Sequence, residues 1–457
     1  MRTRRSTRET DDLLGPPPRR GQVQGADAAT LLTILIVVRL GMPSQFVVGA
    51  LGGAGSPATL YGLLLAVYWL WHRLRRTRPE VSASVDAVAI VFGAVVLASH
   101  VVAEIRPTAA DELNLSVLAL LTLASWLGGL LLASDGVTSF ERLRVLLSRL
   151  VIAGGVFAAF GLFQFLTGMA LVDQVSIPGL VVNTPIYAVV QRDGFARPFA
   201  TAIHPIEFGS VITMLLPLAV VFGLLGRRKG IVRWLAWLPA AATLLAASVS
   251  SSRSTIIGLF VGVVLLWPAL TGLQRLIGGA AGIADAIFVF VAVPGMVGAV
   301  SSLFGGVATA DSSIASRVDS FAVAADYFSH APIIGRGFGT FLPRYRIFDN
   351  QYLVGLVETG TVGFIAMVVL WVVPVIGVAR VIRRSAAGSP QRLLGAGLLA
   401  SCVVGGVGLA FFDGFGFPMM PTIWFVLLGL AGAFCRLSTT ADADGHSWSH
   451  QRGVDQA

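Results

Sequence analysis

The chain has 457 residues, of which 55% are hydrophobic and 12% charged, against about 25% charged in an ordinary soluble domain, and its mean hydropathy is +0.80. Such a composition excludes a soluble globular protein and describes a polytopic membrane protein. The net charge of +9 is no sign of nucleic acid here, because in a membrane protein the placement of the arginines carries the information. Lys229 is the only lysine, and the two cysteines, Cys402 and Cys435, lie in separate apolar runs. Neither a disulfide framework nor a thiolate metal site fits that placement.

Residues 1–27, with PPPRR among them, are polar and read as a disordered cytoplasmic tail. No cleavable signal precedes the first apolar run. Apolar runs of membrane-spanning length, about 20 residues each, follow at 28–50, 57–72, 84–103, 114–133, 146–168, 206–225, 232–249, 254–271, 281–304, 352–379, 393–412 and 419–436. The expected fold is therefore all-α, with about 12 transmembrane helices in a domain covering 28–437. Residues 438–457 read as a second disordered cytoplasmic tail, in which the carboxylate pair of ADADG has a chance spacing.

With the N-terminus in the cytoplasm, 24 of the 33 basic residues fall on the cytoplasmic side and eight on the exterior, while Arg39 lies within a span. This excess predicts both termini inside the cell. The eight are Arg106, Arg192, Arg197, Arg253, Arg317, Arg336, Arg344 and Arg346.

Two connections are long, 169–205 and 305–350, and both are expected on the exterior face. Their aromatic and apolar content predicts that they fold back over the membrane domain. The first ends in GFARPFATAIHP, placing Arg197 and His204 at the entry to the sixth span. In the second, a serine cap at Ser312 or Ser313, apolar residues at Ile314, Val318, Phe321 and Ala325, and a stop at Pro332 predict a helix carrying Arg317 and Asp319. The Gly335, Gly337 and Gly339 spacing that follows permits tight turns and close backbone approach, either to a ligand or simply in a connecting loop. It follows no predicted strand, so a dinucleotide fold is not supported. Between the seventh and eighth spans, SSRS sets Arg253 at the membrane boundary, where it meets either an anion or a structural carboxylate.

The order of these segments, GFARPFATAIHP, SSRS, ASRVDSFAVAADYF, HAPIIGRGFGTF and DNQYLVGLVETGTVGF, resembles the O-antigen ligase and Wzy-type polymerase superfamily over about residues 152–370. The resemblance implies a GT-C-like membrane glycosyltransferase of the cell membrane. Such an enzyme takes a glycan from a polyprenyl-diphosphate-linked oligosaccharide at the exterior face and moves it to a hydroxyl on a glycan or lipid acceptor. It implies diphosphate binding by Arg197, Arg253 and Arg317, with Arg317 also catalytic. Ligases of the family carry a histidine, their general base, immediately before the asparagine of the closing motif. Here that position is Asp349, a departure that resembles polymerase-type and exopolysaccharide members more than lipid A core ligases.

An aspartate near its unperturbed pKa of about 3.9 is ionised at neutral pH and can accept a proton, so Asp349 suits a base unless Arg344 or Arg346 pairs with it. His204, Asn350 and Glu358 are candidate acceptor-side groups. For His204 a satisfied loop histidine is the other reading, and for Glu358 a bond acceptor between helices. No grouping has metal-ligand spacing, which predicts metal-independent transfer without a cofactor. The competing readings are a lipid-linked oligosaccharide transporter or flippase, against which the lack of similarity between the halves counts, and a peptidoglycan polymerase of the shape, elongation and division type.

Overall fold

The computed structural model describes residues 27–75, 84–183, 191–192, 195–226, 231–250, 252–292 and 312–443. Most of both expected tails lies outside the described residues. Helices run from Ala28–Gly41 (α1), Pro57–Arg75 (α2), Ser84–Ile105 (α3), Ala110–Gly136 (α4) and Phe140–Thr167 (α5). They continue with Pro205–Leu225 (α6), Ile231–Leu235 (α7), Leu238–Val249 (α8), Arg253–Leu266 (α9) and Gly272–Ala292 (α10). The last four are Ser312–His330 (α11), Gln351–Arg384 (α12), Pro390–Gly408 (α13) and Met419–Ala443 (α14).

Among the described residues, α3, α4, α5, α6, α12, α13 and α14 are each long and apolar enough to cross a membrane. A bent pair, the 3-10 turn Gly49–Gly55 with α2, brings the number to eight. Shorter apolar helices occupy Ala28–Gly41, Arg233–Val249 and Arg253–Ala269. The chain is an all-α polytopic membrane protein, with helices in most of the expected apolar runs; of the expected run 281–304 only 281–292 lies among the described residues, as the end of α10. Two further bounds differ from expectation. The run 28–50 is not one helix, because α1 stops at Gly41 before Pro43, and Phe46–Val47 then pairs antiparallel with Val181–Val182. At the other end α14 continues to Ala443, so Ser438 to Ala443 are helical.

α14 and α6 form the centre, with 89% and 78% of their spanning windows buried, whereas α3, at 28%, is peripheral. Around them α4 packs between α2 and α14, α13 between α6 and α9, and α12 against α3 and α13. Arg39 stands inside α1 without ending it, because its guanidinium donates to Thr59 Oγ1 at 3.0 Å and Ser56 Oγ at 3.4 Å at the start of α2.

The main irregularity is a break in α12 at Gly360, whose backbone sits at φ 64° and ψ −167°, a region open essentially only to glycine. The loop after α11 plugs into this break. Arg336 N–H donates to Val357 O at 3.1 Å, Gly337 N–H to Glu358 O at 2.9 Å, and Val362 N–H to Ile333 O at 3.1 Å. A Cβ at Gly335 would overlap the Glu358 carbonyl, and one at Gly360 the Ile333 carbonyl. The spaced glycines thus serve close approach of the loop to a broken helix rather than to a ligand.

Gly360→Ala therefore forces both an unfavourable backbone conformation and a clash, and is expected to cost at least about 1–3 kcal/mol. A clear fall in the melting temperature of the detergent-solubilised protein is the expected result. An unchanged melting temperature would show that the break does not need glycine.

Candidate functional site

The site lies where three irregular segments meet: the chain before α6, the turn between α8 and α9, and the junction into α12. Each is held by a buried polar side chain. In the first, Gln164 of α5 accepts the N–H groups of Phe199 (3.1 Å) and Ala200 (2.7 Å) and donates to Ala200 O (3.0 Å). Ala200 has φ 51°, and among the described residues the other non-glycine with positive φ is Asp349, at 52°. Such conformations persist only where the surroundings over-determine them, and they concentrate at functional sites.

Asp413, in the connection between α13 and α14, supplies that hold at Asp349. Its carboxylate accepts the backbone N–H of Asn350 at 2.7 Å, and the amides of Phe348 and Asp349 also favour its charged form. Burial pushes the Asp413 carboxyl above its ordinary pKa, and these hydrogen bonds act against that shift. Asn350 caps α12, its Oδ1 accepting from Tyr352 N–H at 3.0 Å and Leu353 N–H at 3.4 Å. Gln351 reaches back across the same connection, accepting from Phe415 N–H at 2.8 Å. With Phe348 buried beneath it, Asp349 is presented as an exposed carboxylate on a rigid turn.

Arg197 and His204 approach from the other side. Arg197 is 92% buried by its 8% exposure, and its Nε donates to Ser250 O at 3.5 Å, which sets it against the turn leading to Arg253. Arg253 is the first residue of α9, half-buried, and the Ser252 cap makes no side-chain hydrogen bond to that first turn. His204 caps α6 and packs its ring against Phe417, with centroids 6.0 Å apart. Burial and the Arg197 charge hold the His204 imidazole below its ordinary pKa, and the Asp349 carboxylate acts in the opposite direction. His204 is thus within electrostatic reach of both Arg197 and Asp349.

Other expectations are placed differently. Arg344 pairs with Asp111 and Arg346 with Asp319, the latter at 2.9 Å; among the described residues neither pairs with Asp349. Glu358 is buried and accepts Phe341 N–H at 3.1 Å, which makes it a fastening for the loop rather than an acceptor-side group. Arg336 is another fastening: it donates to Glu112 Oε1 at 3.0 Å and stands over the Tyr345 ring at 4.9 Å. Arg317 lies on α11, and its side chain is outside the described residues.

Gln164, Glu207 and Asp413 were not singled out by sequence. Glu207 of α6 is buried and accepts from Ile203 N–H at 3.1 Å and from the first amides of α14, Met419 and Met420, tying the segment before α6 to α14. The signal for all three was a lone polar residue inside an apolar run, in FGLFQFLTG, PIEFG and AFFDGFGFP.

Asp413→Ala leaves the Asn350 N–H without its acceptor, at about 1–3 kcal/mol for an unsatisfied group. It is expected to lower both melting temperature and activity, whereas Asp413→Asn, which keeps one acceptor oxygen, is expected to fall in between. Equal stability of the three proteins would remove Asp413 from this role.

No curated protein matches the sequence. Residues 238–368 match a family model described as O-antigen ligase, a stretch that includes Arg253, Arg317, Asp349, Asn350 and Glu358 but leaves Arg197 and His204 outside it. This domain match supports the resemblance to the O-antigen ligase and Wzy-type polymerase superfamily.

Proposed function

We propose that the protein is a metal-independent glycosyltransferase that moves a glycan from a polyprenyl-diphosphate donor to a hydroxyl acceptor on the exterior face of the cell membrane. The observation that carries this is the meeting of Arg197, His204 and Asp349, drawn from segments about 150 residues apart, beside the turn that leads to Arg253. Cations and a free carboxylate at one site are what transfer from a diphosphate leaving group requires.

In the proposed step the acceptor hydroxyl oxygen attacks the anomeric carbon of the donor sugar. The bond from that carbon to the diphosphate oxygen breaks, and its electron pair leaves with polyprenyl diphosphate. The hydroxyl proton passes to Asp349 and from there to water. Arg197 and Arg253 take up the charge that develops on the diphosphate, since a guanidinium pairs bidentately with phosphate and stays charged at any working pH. Arg317 is assigned to the same diphosphate by the family resemblance. The positive end of α9 adds to the field there. A groove of about 630 Å³ lined by Val38, Met42, Pro43, Phe160, Val172 and Thr201 offers an apolar bed for the isoprenoid chain.

Aspartate in place of the ligase histidine favours a polymerase, or a ligase with another acceptor, in cell-envelope polysaccharide synthesis. Asp349→Asn keeps the shape and removes the proton acceptor, so transfer in membranes is expected to fall by about 100 to 10,000-fold with folded protein and diphosphate binding retained. Asp349→His is expected to restore part of it. Near-normal product per folded Asp349→Asn molecule would exclude the base. Arg197→Ala or Arg253→Ala is expected to cost about 100 to 1,000-fold in turnover, read with the same assay.

A further inference from the structure

His204 has a geometry that decides what each ring nitrogen can do. The backbone N–H of Ile206 donates to His204 Nδ1 at 3.1 Å. An amide N–H cannot accept, so Nδ1 is the accepting nitrogen and the ring hydrogen sits on Nε2. The same bond makes His204 the N-cap of α6, and the contact with Phe417, tilted by 49°, fixes the plane of the ring. Among the described residues Nε2 has no hydrogen-bond partner, and it is not among the fully buried unsatisfied atoms. A second proton would have to enter at Nδ1, where it would displace the Ile206 cap. The neighbouring Arg197 charge and burial discourage it further, with Asp349 the opposing influence.

A ring locked in this state can donate from Nε2 and cannot take a proton there. It is therefore unsuited to activating the acceptor hydroxyl, and a hydrogen bond donated to that oxygen would weaken it as a nucleophile. Beside Arg197, the partner that such a donor fits is an anionic oxygen.

Resting on the reading of the site given above, we propose that His204 is a catalytic residue, a neutral donor whose Nε2–H hydrogen-bonds a phosphate oxygen of the departing polyprenyl diphosphate. The bond strengthens as the anomeric carbon to oxygen bond breaks and negative charge builds on the diphosphate. No proton leaves Nε2, so the step needs no second base and the ring is unchanged at its end. This moves His204 from the acceptor side, where sequence placed it, to the leaving-group side.

The two functions of the ring can be separated by substitution. In His204→Asn the amide oxygen can replace Nδ1 as a cap but nothing reaches the Nε2 position. In His204→Gln an amide N–H reaches that position, at the expense of the cap. Transfer is measured per folded molecule in membranes carrying the native lipid-linked glycan, and melting temperature in detergent. His204→Asn is expected to melt like the parent and to lose transfer by about 100 to 1,000-fold. His204→Gln is expected to melt lower and to keep the larger part of the transfer. Normal transfer by His204→Asn, or a His204→Gln no better than His204→Asn, would overturn the inference. Arg197→Ala and Asp349→Asn are run beside them. Normal transfer by both would overturn the underlying reading whatever His204 does, whereas their loss with a normal His204→Asn would overturn the role of His204 alone.

Discussion

A membrane protein can tolerate irregular backbone at depth only where every freed N–H and C=O finds a partner, and this chain meets that constraint with buried polar side chains. Asp413 accepts the amide of Asn350, Glu207 those of Ile203, Met419 and Met420, and Gln164 those of Phe199 and Ala200. Glu358 does the same for Phe341 at the break in α12. Each joins a segment without regular structure to a helix of the bundle. Removing any of them would leave amides unpaired in an apolar setting, and the turns bearing Arg197, His204 and Asp349 would lose their fixed positions.

The consequence for function is pre-organisation. Electrostatic catalysis depends on groups that need not reorient as charge develops, and two of the site's turns sit in left-handed backbone that only tight surroundings maintain. The division of labour among the charged residues follows from the same packing. Arg336 and Arg344 are engaged with Glu112 and Asp111 of α4, which fastens the loop after α11 to the bundle, while Arg346 pairs with Asp319 and ties the loop to α11. Among the described residues neither Arg344 nor Arg346 pairs with Asp349, whose side chain is exposed.

Much of the fold was legible because hydropathy and helix punctuation are local signals. Most of the apolar runs became helices among the described residues, and the serine-to-proline stretch after residue 311 became α11. The interruption after Gly41 was harder to see, since its cause is a pairing of Phe46–Val47 with a segment far along the chain. Within the site, the arginine and aspartate candidates followed from motif order. Their environment did not, because the partner of Arg344 is 233 residues away and the acceptor of the Asn350 amide is 63 residues away. The glycine spacing after α11 illustrates the limit: it announced a close backbone approach, but only the fold shows that the thing approached is the break in α12.

The central claim is that these convergent groups form a diphosphate site, and the most direct measurement is an experimental structure of the protein in lipid nanodiscs with polyprenyl diphosphate bound. The account predicts phosphate oxygens within hydrogen-bonding distance of the Arg197 and Arg253 guanidinium groups and of His204 Nε2, with Asp349 facing the side from which an acceptor would enter. A diphosphate bound elsewhere in the bundle, with Arg197 and Arg253 making no contact to it, would contradict it.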